Sequence, residues 1–220
     1  MKKPLQIAID GPVGAGKSTV AALLSQRLGI LYLDSGAMYR AVAVLGIRNK
    51  VDLKNEKEIV NLLKKVRIKF EDCRRIFLNN QDITQEIRTP EAGWGSSVVA
   101  MLPGVRRILV KKQKEMACSK SVIMEGRDIT TRVLPNATLK IYLTADQKER
   151  AKRRHKEFLE KGIKKTFTEV LEETVKRDKQ DTERKIDPLT IVPDAWVLDT
   201  TNLTIREVME KILEKLKKLK

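Results

Sequence analysis

Residues 6–19, QIAIDGPVGAGKST, carry the strongest local signals for the fold of this chain. Residues 6–9 form a short apolar run with β-branched side chains at positions 7 and 9, which predicts a buried strand. The run ends at Asp10-Gly11-Pro12, where a strand cannot continue. From 18 to 28, apolar residues recur at roughly the spacing of one helix face, so the whole stretch predicts a strand, a glycine loop and a helix.

The glycine loop contains the pattern G-x-x-x-x-G-K-[ST]. Glycines let backbone N–H groups turn toward an anion, and a helix N-terminus adds partial positive charge, so this pattern binds polyphosphate. Its lysine reaches the outer phosphates and its hydroxyl is a ligand of Mg²⁺. A chance match in a tight turn is the alternative, which the strand–loop–helix context disfavours. The predicted ATP-binding residues are Gly11, Pro12, Val13, Gly14, Ala15, Gly16, Lys17, Ser18 and Thr19.

Composition limits the classes of protein to which the chain can belong. Its 220 residues, 41% of them hydrophobic, can bury a full core, and one domain with an insertion fits better than two equal domains. The net charge of +16 favours anionic partners such as nucleotides, nucleic acid or an acidic membrane surface. For most of the lysines, a solvated Lys/Glu-rich surface of the kind found in heat-stable proteins is the simpler interpretation.

Neither a secretory signal nor a membrane span is predicted. Asp10 interrupts the first apolar run, and no uninterrupted apolar stretch reaches about 18 residues. Cys73 and Cys118 are too few for a disulfide framework or a zinc site. We therefore expect the chain in the reducing cytoplasm, with no membrane partner. We also expect a monomer.

Four more apolar runs predict strands, at residues 30–33, 121–124, 139–143 and 196–198. Strands alternating with helices predict an α/β fold with a five-stranded parallel sheet flanked by helices on both faces. Capping boxes are expected at the starts of three helices, pairing Thr144 with Gln147, Thr166 with Glu169 and Thr204 with Glu207. In the last helix, core packing is expected for Ile205, Val208, Ile212, Leu216 and Leu219.

The stretch from 36 to 100 interrupts this alternation. Residues 66–70 and 76–78 alternate apolar and charged side chains, with polar turns at 72–74 and 79–80, which predicts small antiparallel hairpins. Helices are predicted at 56–65, 89–100 and 103–116. An insertion into the α/β core is therefore expected. The N-K-x-D at 49–52 matches a guanine-reading signature, but it follows no clear strand and the chain contains no D-x-x-G, so we treat the match as coincidental.

Several polar residues stand where phosphate chemistry would need them. Asp34-Ser35-Gly36 ends one strand, at the edge where open α/β sheets contact ligands. Glu125 ends another, in the place of a carboxylate near Mg²⁺, although a capped loop carboxylate is the alternative. Arg177, Asp181 and Arg184 fall at i, i+4 and i+7, on one face of a helix. That face is either a surface ion-pair ladder or a lid whose arginines close over transferring phosphates.

Five segments together resemble the bacterial-type cytidylate kinases, a family of nucleoside monophosphate kinases, over essentially the whole chain. They are IDGPVGAGKST at 9–19, LDSGAMYR at 33–40, SVVAMLPGVR at 97–106, EGRD at 125–128 and R-D-x-x-D-x-x-R at 177–184. The resemblance implies transfer of the γ-phosphoryl group of ATP to CMP or dCMP, with Mg²⁺ as cofactor. It implies core segments at 1–35, 101–148 and 187–220, a nucleotide-monophosphate-binding insertion at 36–100, and a small helical lid with its flanking helices at 149–186.

The resemblance also assigns an acceptor site. The implied CMP-binding residues are Ser35, Arg40, Ser97, Arg106, Arg127, Asp128, Arg177, Asp181 and Arg184. Among them, Ser97, Arg106 and Asp128 would read cytosine, and the others would hold the sugar and phosphate. The chemistry agrees for Asp128, because a carboxylate accepts from the N4 amino group of cytosine and repels the O4 carbonyl of uracil.

The implied catalytic residues are Lys17, Arg177 and Arg184, and Ser18 is the implied Mg²⁺ ligand, with Glu125 acting through a water. No strong general base is needed, since the acceptor phosphate is already anionic near neutral pH.

Two departures and two alternatives accompany this interpretation. Residues 129–132, Ile-Thr-Thr-Arg, replace the expected x-G-T continuation, so the loop after Asp128 is expected to be stiffer and more basic. Arg150, Arg153 and Arg154 match the lid only by type and region.

The alternatives are a P-loop kinase for UMP, AMP or shikimate, and an RNA-binding or regulatory ATPase. Only 4% of residues are aromatic and no RNA-binding motif is visible, so no specific nucleic-acid partner is expected.

Overall fold

A computed structural model describes residues 4–71 and 75–219. The strands are β1 (Gln6–Asp10), β2 (Leu31–Asp34), β3 (Ile68–Glu71), β4 (Arg75–Leu78), β5 (Gln81–Asp82), β6 (Val122–Gly126), β7 (Leu139–Thr144) and β8 (Trp196–Asp199). The helices are α1 (Lys17–Leu28), α2 (Ser35–Arg48), α3 (Glu56–Lys64), α4 (Pro90–Val99), α5 (Pro103–Ala117), α6 (Gln147–Glu160), α7 (Phe167–Glu183) and α8 (Ile205–Lys217). A 3₁₀ turn lies at Glu86–Arg88 and a π-helical turn at Ile129–Val133.

The core is a five-stranded sheet in the order β2-β6-β1-β7-β8. All neighbouring pairs are parallel, and Ile7 of β1 is level with Ile123 of β6 and Leu139 of β7. The carboxyl ends of the strands therefore share one edge, where open α/β sheets bind their ligands. The predicted five-stranded parallel sheet is confirmed.

Helices cover both faces of this sheet. On one face, α1 and α8 pack against Ile7 and Ile9 of β1. On the other face, the end of α5 and the π turn pack against Ala8 and Met124. Successive strand residues point to opposite faces, so β1 contributes side chains to both hydrophobic layers.

The stretch between β2 and β6 builds a further hydrophobic cluster. Strands β3, β4 and β5 form a separate antiparallel sheet, which confirms the predicted hairpins. This sheet packs with α2, α3, α4 and α5 around residues such as Val42, Ile59 and Ile76. The turn at Asn79 and Asn80 is confirmed by positive φ angles of 48° and 66°, while the predicted turn at 72–74 lies outside the described residues. The division of the chain at 36, 101, 149 and 187 stays a prediction.

One of the three predicted capping boxes is wrong. Thr144 is the last residue of β7 and does not begin a helix. Asp146 caps α6 instead, because its carboxylate accepts from the backbone N–H groups of Lys148 and Glu149. The boxes at the starts of α7 and α8 are confirmed.

Helix α8 contributes a narrower stripe to the core than its sequence predicts. Val208, Ile212 and Leu216 are buried, but Ile205 and Leu219 are exposed. Ile205 is the first residue of the helix and Leu219 lies beyond its end, so the prediction of core packing is wrong for these two. None of the described helices is long and apolar enough to span a lipid bilayer.

Candidate active site

The glycine loop connects β1 to α1, as the sequence predicts. Gly11 has a φ of +151°, and a Cβ atom there would lie 2.0 Å from the carbonyl oxygen of Leu143, so the loop can pass β7 only with glycine at this position. Gly16 caps α1 with a left-handed φ of +88°. Backbone N–H groups at the start of α1 therefore point into the loop, in the arrangement that binds phosphate.

Lys17 is buried at the start of α1, and its Nζ donates to the carbonyl oxygen of Pro12 at 2.7 Å. The pKa of Lys17 is lowered to about 7, first by burial and next by the charge of the neighbouring Arg127, while Glu125 and Asp181 act in the opposite direction. A polyphosphate in the loop would favour the protonated lysine by the same Coulombic rule. Lys17 therefore has the position and the chemistry of a cation whose charge depends on an anionic ligand.

Ser18 and Glu125 are in contact, with Ser18 Oγ donating to Glu125 Oε1 at 2.5 Å. The hydroxyl of Tyr32 also donates to this oxygen, at 3.4 Å. Burial, and then the nearby Asp34, raise the pKa of Glu125. Hydroxyl and carboxylate oxygens are the ligands Mg²⁺ prefers, and this ion takes few protein ligands alongside substrate phosphates, so the pair fits the ion. Among the described residues, no cluster of three or more His, Cys, Asp or Glu side chains offers a dedicated metal cage.

Ser35 and Arg40 lie at the carboxyl end of β2, beside Glu125. Ser35 Oγ donates to the carbonyl oxygen of Glu125 at 2.7 Å. Arg40 pairs with Asp34 at 2.7 Å, and the same carboxylate caps α2 through the N–H of Ala37. The cap therefore fixes both the start of α2 and the direction of the Arg40 side chain.

Arg106 of α5 and Asp128, just after β6, form a buried ion pair with 2.5 Å between Nη2 and Oδ2. Only 2% and 5% of the two side chains is exposed. Burial raises the pKa of Asp128, and the charges of Arg106 and Arg184 oppose that rise. Oδ1 of Asp128 faces Arg184 Nη2 across 3.9 Å, which is longer than a hydrogen bond.

A row of charges of alternating sign continues from this pair. Arg184 lies 4.0 Å from Asp181, and Asp181 pairs with Arg127 at 2.6 Å. Arg184 stands one residue beyond α7 in extended backbone, so the predicted three-residue helical face is wrong at its last member. The row nevertheless brings together Arg106, Asp128, Arg184, Asp181 and Arg127, running from α5 to the end of β6.

Arg177 and Arg154 add positive charge near Arg127. Each has a buried Nε without a hydrogen-bond partner among the described residues. Burial, and next the charge of Arg127, lower the pKa of Arg177 to about 10. Buried polar groups are almost always paired, so unpartnered arginine nitrogens beside further arginines indicate a site for an anion.

Ser97 on α4 is less closely connected. Its carbonyl oxygen accepts from Gln180 of α7 at 2.9 Å, which ties α4 to α7. In the described ranges, no hydrogen bond joins the Ser97 side chain to Arg106 or Asp128. The structure thus brings two of the three predicted base-reading residues into contact.

Four carboxylates in this region have contacts that the sequence did not predict, and only Asp34 among them was noted there, as part of a polar strand end. Asp10 accepts from Ile129 and Thr130, Asp34 holds Arg40, Asp178 holds Arg150, and Asp187 holds Arg106. Asp10 carried the same signal as Asp34, because Asp10 ends β1 and Asp34 ends β2 at the ligand-binding edge of the sheet. Asp178 lies within the R-D-x-x-D-x-x-R segment, but no local pattern indicates that it pairs with Arg150, and Asp187 carries no comparable signal.

Comparison with known proteins agrees with the resemblance to cytidylate kinases that the sequence shows. The model of the cytidylate kinase family matches residues 7–218. A cytidylate kinase of Thermosipho melanesiensis is 52% identical over 214 residues, covering 97% of each chain. One from Caldanaerobacter subterraneus subsp. tengcongensis is 49% identical over 97% of this chain and 95% of its own. One from Bacillus thuringiensis is 45% identical over 97% of this chain and 96% of its own.

Among solved structures, an uncharacterized protein from Eubacterium ventriosum has the same fold, with a TM-score of 0.56 and 14% identity over 99% of both chains. The family model and the three relatives cover nearly the whole of this chain, including the glycine loop and the charged row beside it. The chain therefore belongs to the cytidylate kinase family.

Proposed function

We propose that this chain transfers the γ-phosphoryl group of ATP to CMP or dCMP, giving ADP and CDP or dCDP. The observation that carries the proposal is the buried Arg106–Asp128 pair, which lies next to Arg127 at the same edge of the sheet as the glycine loop. A base-reading pair beside an arginine cluster is what a nucleoside monophosphate acceptor requires. Membership of the cytidylate kinase family supports the same acceptor.

ATP would lie in the glycine loop between Gly11 and Thr19. The backbone N–H groups at the start of α1 bind the β-phosphate, and Lys17 leaves Pro12 to contact the outer phosphates. Ser18 would hold Mg²⁺, with Glu125 acting through a water. The ion, when bound, neutralises charge on the phosphates.

The cytosine ring would lie against Arg106 and Asp128. Oδ1 of Asp128 accepts from the N4 amino group, whereas uracil would place a carbonyl oxygen against it. Three of the five N–H groups of Arg106 are used by Asp187, Ala100 and Asp128. One N–H on each terminal nitrogen remains for the cytosine acceptor atoms. Ser97 approaches from α4.

The acceptor phosphate would lie among the arginines. Arg127 and Arg184 hold it, with Arg40 and Ser35 at the sugar–phosphate end and Arg177 and Asp181 toward the ribose. A phosphate oxygen attacks the γ-phosphorus in line, and the charge that spreads over the transferring group is stabilised by Lys17, Arg177 and Arg184. Closure of α6 and α7 as a lid over the site would exclude water and suppress ATP hydrolysis.

We also propose that the enzyme works with Mg²⁺, as a monomer, in the cytoplasm. The oxygen ligands Ser18 and Glu125 support the metal. Size-exclusion chromatography with light scattering would test the oligomeric state.

The experiment that tests the proposal follows ADP and nucleoside diphosphate formation from MgATP with CMP, dCMP, UMP, AMP, dTMP or shikimate, beside a sample without acceptor. We expect ADP and CDP in equal amounts with CMP, and little ADP without an acceptor. ADP formed at one rate in every sample would identify an ATPase on the same scaffold. Turnover confined to UMP, AMP or shikimate would instead identify another small-acceptor kinase.

A further inference from the structure

Asp187 occupies an unusual place, in the short segment that follows α7. Its φ is +48°, a left-handed conformation that side-chain-bearing residues adopt infrequently, although aspartate tolerates it better than most. Such a conformation persists only where surrounding contacts fix it. We therefore expect the contacts of Asp187 to hold it in this conformation.

Three arginines converge on this residue. Oδ2 accepts from Arg106 Nε at 3.1 Å, and Oδ1 pairs with Arg132 Nε at 2.7 Å. The backbone oxygen accepts from Arg184 Nε at 2.8 Å and also from its Nη2. The three arginines come from α5, from the π turn after Asp128 and from the end of α7, so one residue joins all three segments.

The effect on Arg106 is specific. A buried guanidinium keeps one orientation only if its N–H groups are held in fixed directions, because the fork is planar and rigid. Asp187 holds Nε and Ala100 holds Nη1, and this leaves Nη2 directed at Asp128. Without the Asp187 carboxylate, Arg106 Nε would lose its acceptor, and beside Asp128 only the carbonyl oxygen of Ala100, at 3.3 Å, would restrain the guanidinium.

We propose that Asp187 is a positioning residue for base discrimination: it sets the plane of Arg106, and through its backbone oxygen it sets Arg184. This inference rests on the proposed function, because it assumes that Arg106 and Asp128 read the acceptor base.

The simpler alternative is that Asp187 only anchors the segment after α7 to the rest of the protein. Other contacts also anchor this segment, since the N–H of Leu189 donates to the carbonyl oxygen of Asp181 at 2.8 Å and Leu189 is buried. The ion pair between Asp187 and Arg132 is weak, because the Arg132 side chain is 58% exposed and exposed ion pairs contribute little to stability. The contact between Asp187 and Arg106 is buried, and we therefore expect it to have the larger effect on the site.

The test compares three variants with the unmodified protein. Asp187→Gly removes the carboxylate and suits the positive φ, so the backbone is not strained. Asp187→Asn keeps an oxygen that can accept from Arg106 Nε and loses the charge. Arg132→Ala is the matched control, because it removes the other partner of the Asp187 carboxylate and leaves Arg106 in place.

For Asp187→Gly we expect the ratio of kcat/KM for CMP over that for UMP to fall about tenfold, mostly through KM for CMP, because one determinant of orientation is lost. KM for ATP should not change. Asp187→Asn should recover part of the ratio, and Arg132→Ala should match the unmodified protein. If Asp187 only anchors the segment after α7, Asp187→Gly would lower Tm and leave the CMP-to-UMP ratio of kcat/KM unchanged.

An unchanged CMP-to-UMP ratio in Asp187→Gly would overturn the inference while the proposed function stands. If that variant does not fold, Asp187→Ala decides instead, because it also removes the acceptor of Arg106 Nε, and an unchanged ratio there has the same meaning. An unmodified protein that phosphorylates neither CMP nor UMP would overturn the proposed function, and this inference with it.

Discussion

Asp10 and Thr130 are joined by two hydrogen bonds to one oxygen: Asp10 Oδ2 accepts from the backbone N–H of Thr130 at 2.8 Å and from its hydroxyl at 2.6 Å. The other oxygen of Asp10 accepts from the N–H of Ile129 at 3.0 Å. Asp10 immediately precedes the glycine loop, and Ile129 immediately follows Asp128. One buried carboxylate thus fixes the donor loop and the base-reading residue relative to each other.

Replacing Asp10 with asparagine should lower stability. The amide presents an NH₂ group to at least one backbone N–H, and a buried donor left without an acceptor costs about 1–3 kcal/mol. Urea unfolding of Asp10→Asn should show this loss, and Thr130→Val, which removes one hydrogen bond of three, should lose less. Equal stability of Asp10→Asn and the unmodified protein would mean that the carboxylate is not needed there.

Lys17→Ala should abolish turnover without unfolding the protein. Loss of one cation on the transferring phosphates costs about a hundredfold to a thousandfold in kcat, or more. Burial lowers the pKa of Lys17, so removing this side chain does not remove a favourable buried charge. Activity with MgATP and CMP, together with a melting curve, measures both effects, and Lys161→Ala on the exposed surface is the control. Substantial activity in Lys17→Ala would refute the proposed role.

ATP binding should take up protons at pH 8. The pKa of Lys17 is lowered to about 7, so much of it is neutral at that pH, and bound phosphates raise the pKa again. The protonated lysine is the form that binds ATP, so ATP affinity should fall as pH rises through this pKa. Calorimetric titration in buffers with different ionisation enthalpies measures the uptake.

The same titration at pH 6 should show little uptake, because Lys17 is then already protonated. Lys17→Met should show none at either pH. Equal uptake by Lys17→Met and the unmodified protein at pH 8 would assign the proton to another group.

Asp128→Asn should reduce discrimination between CMP and UMP more than it affects ATP. An amide can donate to the O4 carbonyl of uracil as well as accept from cytosine, and a base-specific contact contributes about 1–3 kcal/mol of discrimination. We expect the ratio of kcat/KM for CMP over UMP to fall about ten- to a hundredfold. Steady-state kinetics with KM for ATP as the internal control measures it. An unaltered ratio would remove Asp128 from the base-reading site.

The elements that were predicted correctly from the sequence are those with local causes. The five core strands are short apolar runs, and the glycine loop is set by consecutive residues from Gly11 to Ser18. Two capping boxes depend on residues three apart. The third failed because Thr144 also satisfies the pattern of a strand, and pairing with β8 extends β7 to that residue.

The contacts that were not predicted join distant parts of the chain. Arg106 and Asp187 are 81 residues apart, and Asp10 and Thr130 are 120 residues apart. No local pattern marks such pairs, since they depend on how α5, β1 and the end of α7 meet. The roles of Arg150 and Arg153 could not be separated from the sequence either. In the structure Arg150 pairs with Asp178, and Arg153 donates to the carbonyl oxygen of Thr200.

The ratio of kcat/KM for CMP over UMP in the unmodified protein, with saturating MgATP, tests the central claim most directly. A site that presents a buried carboxylate to the N4 amino group should prefer CMP by at least about a hundredfold, because uracil leaves that carboxylate facing another oxygen. Equal values for the two acceptors would contradict the account, since the Arg106–Asp128 pair would then not read the base.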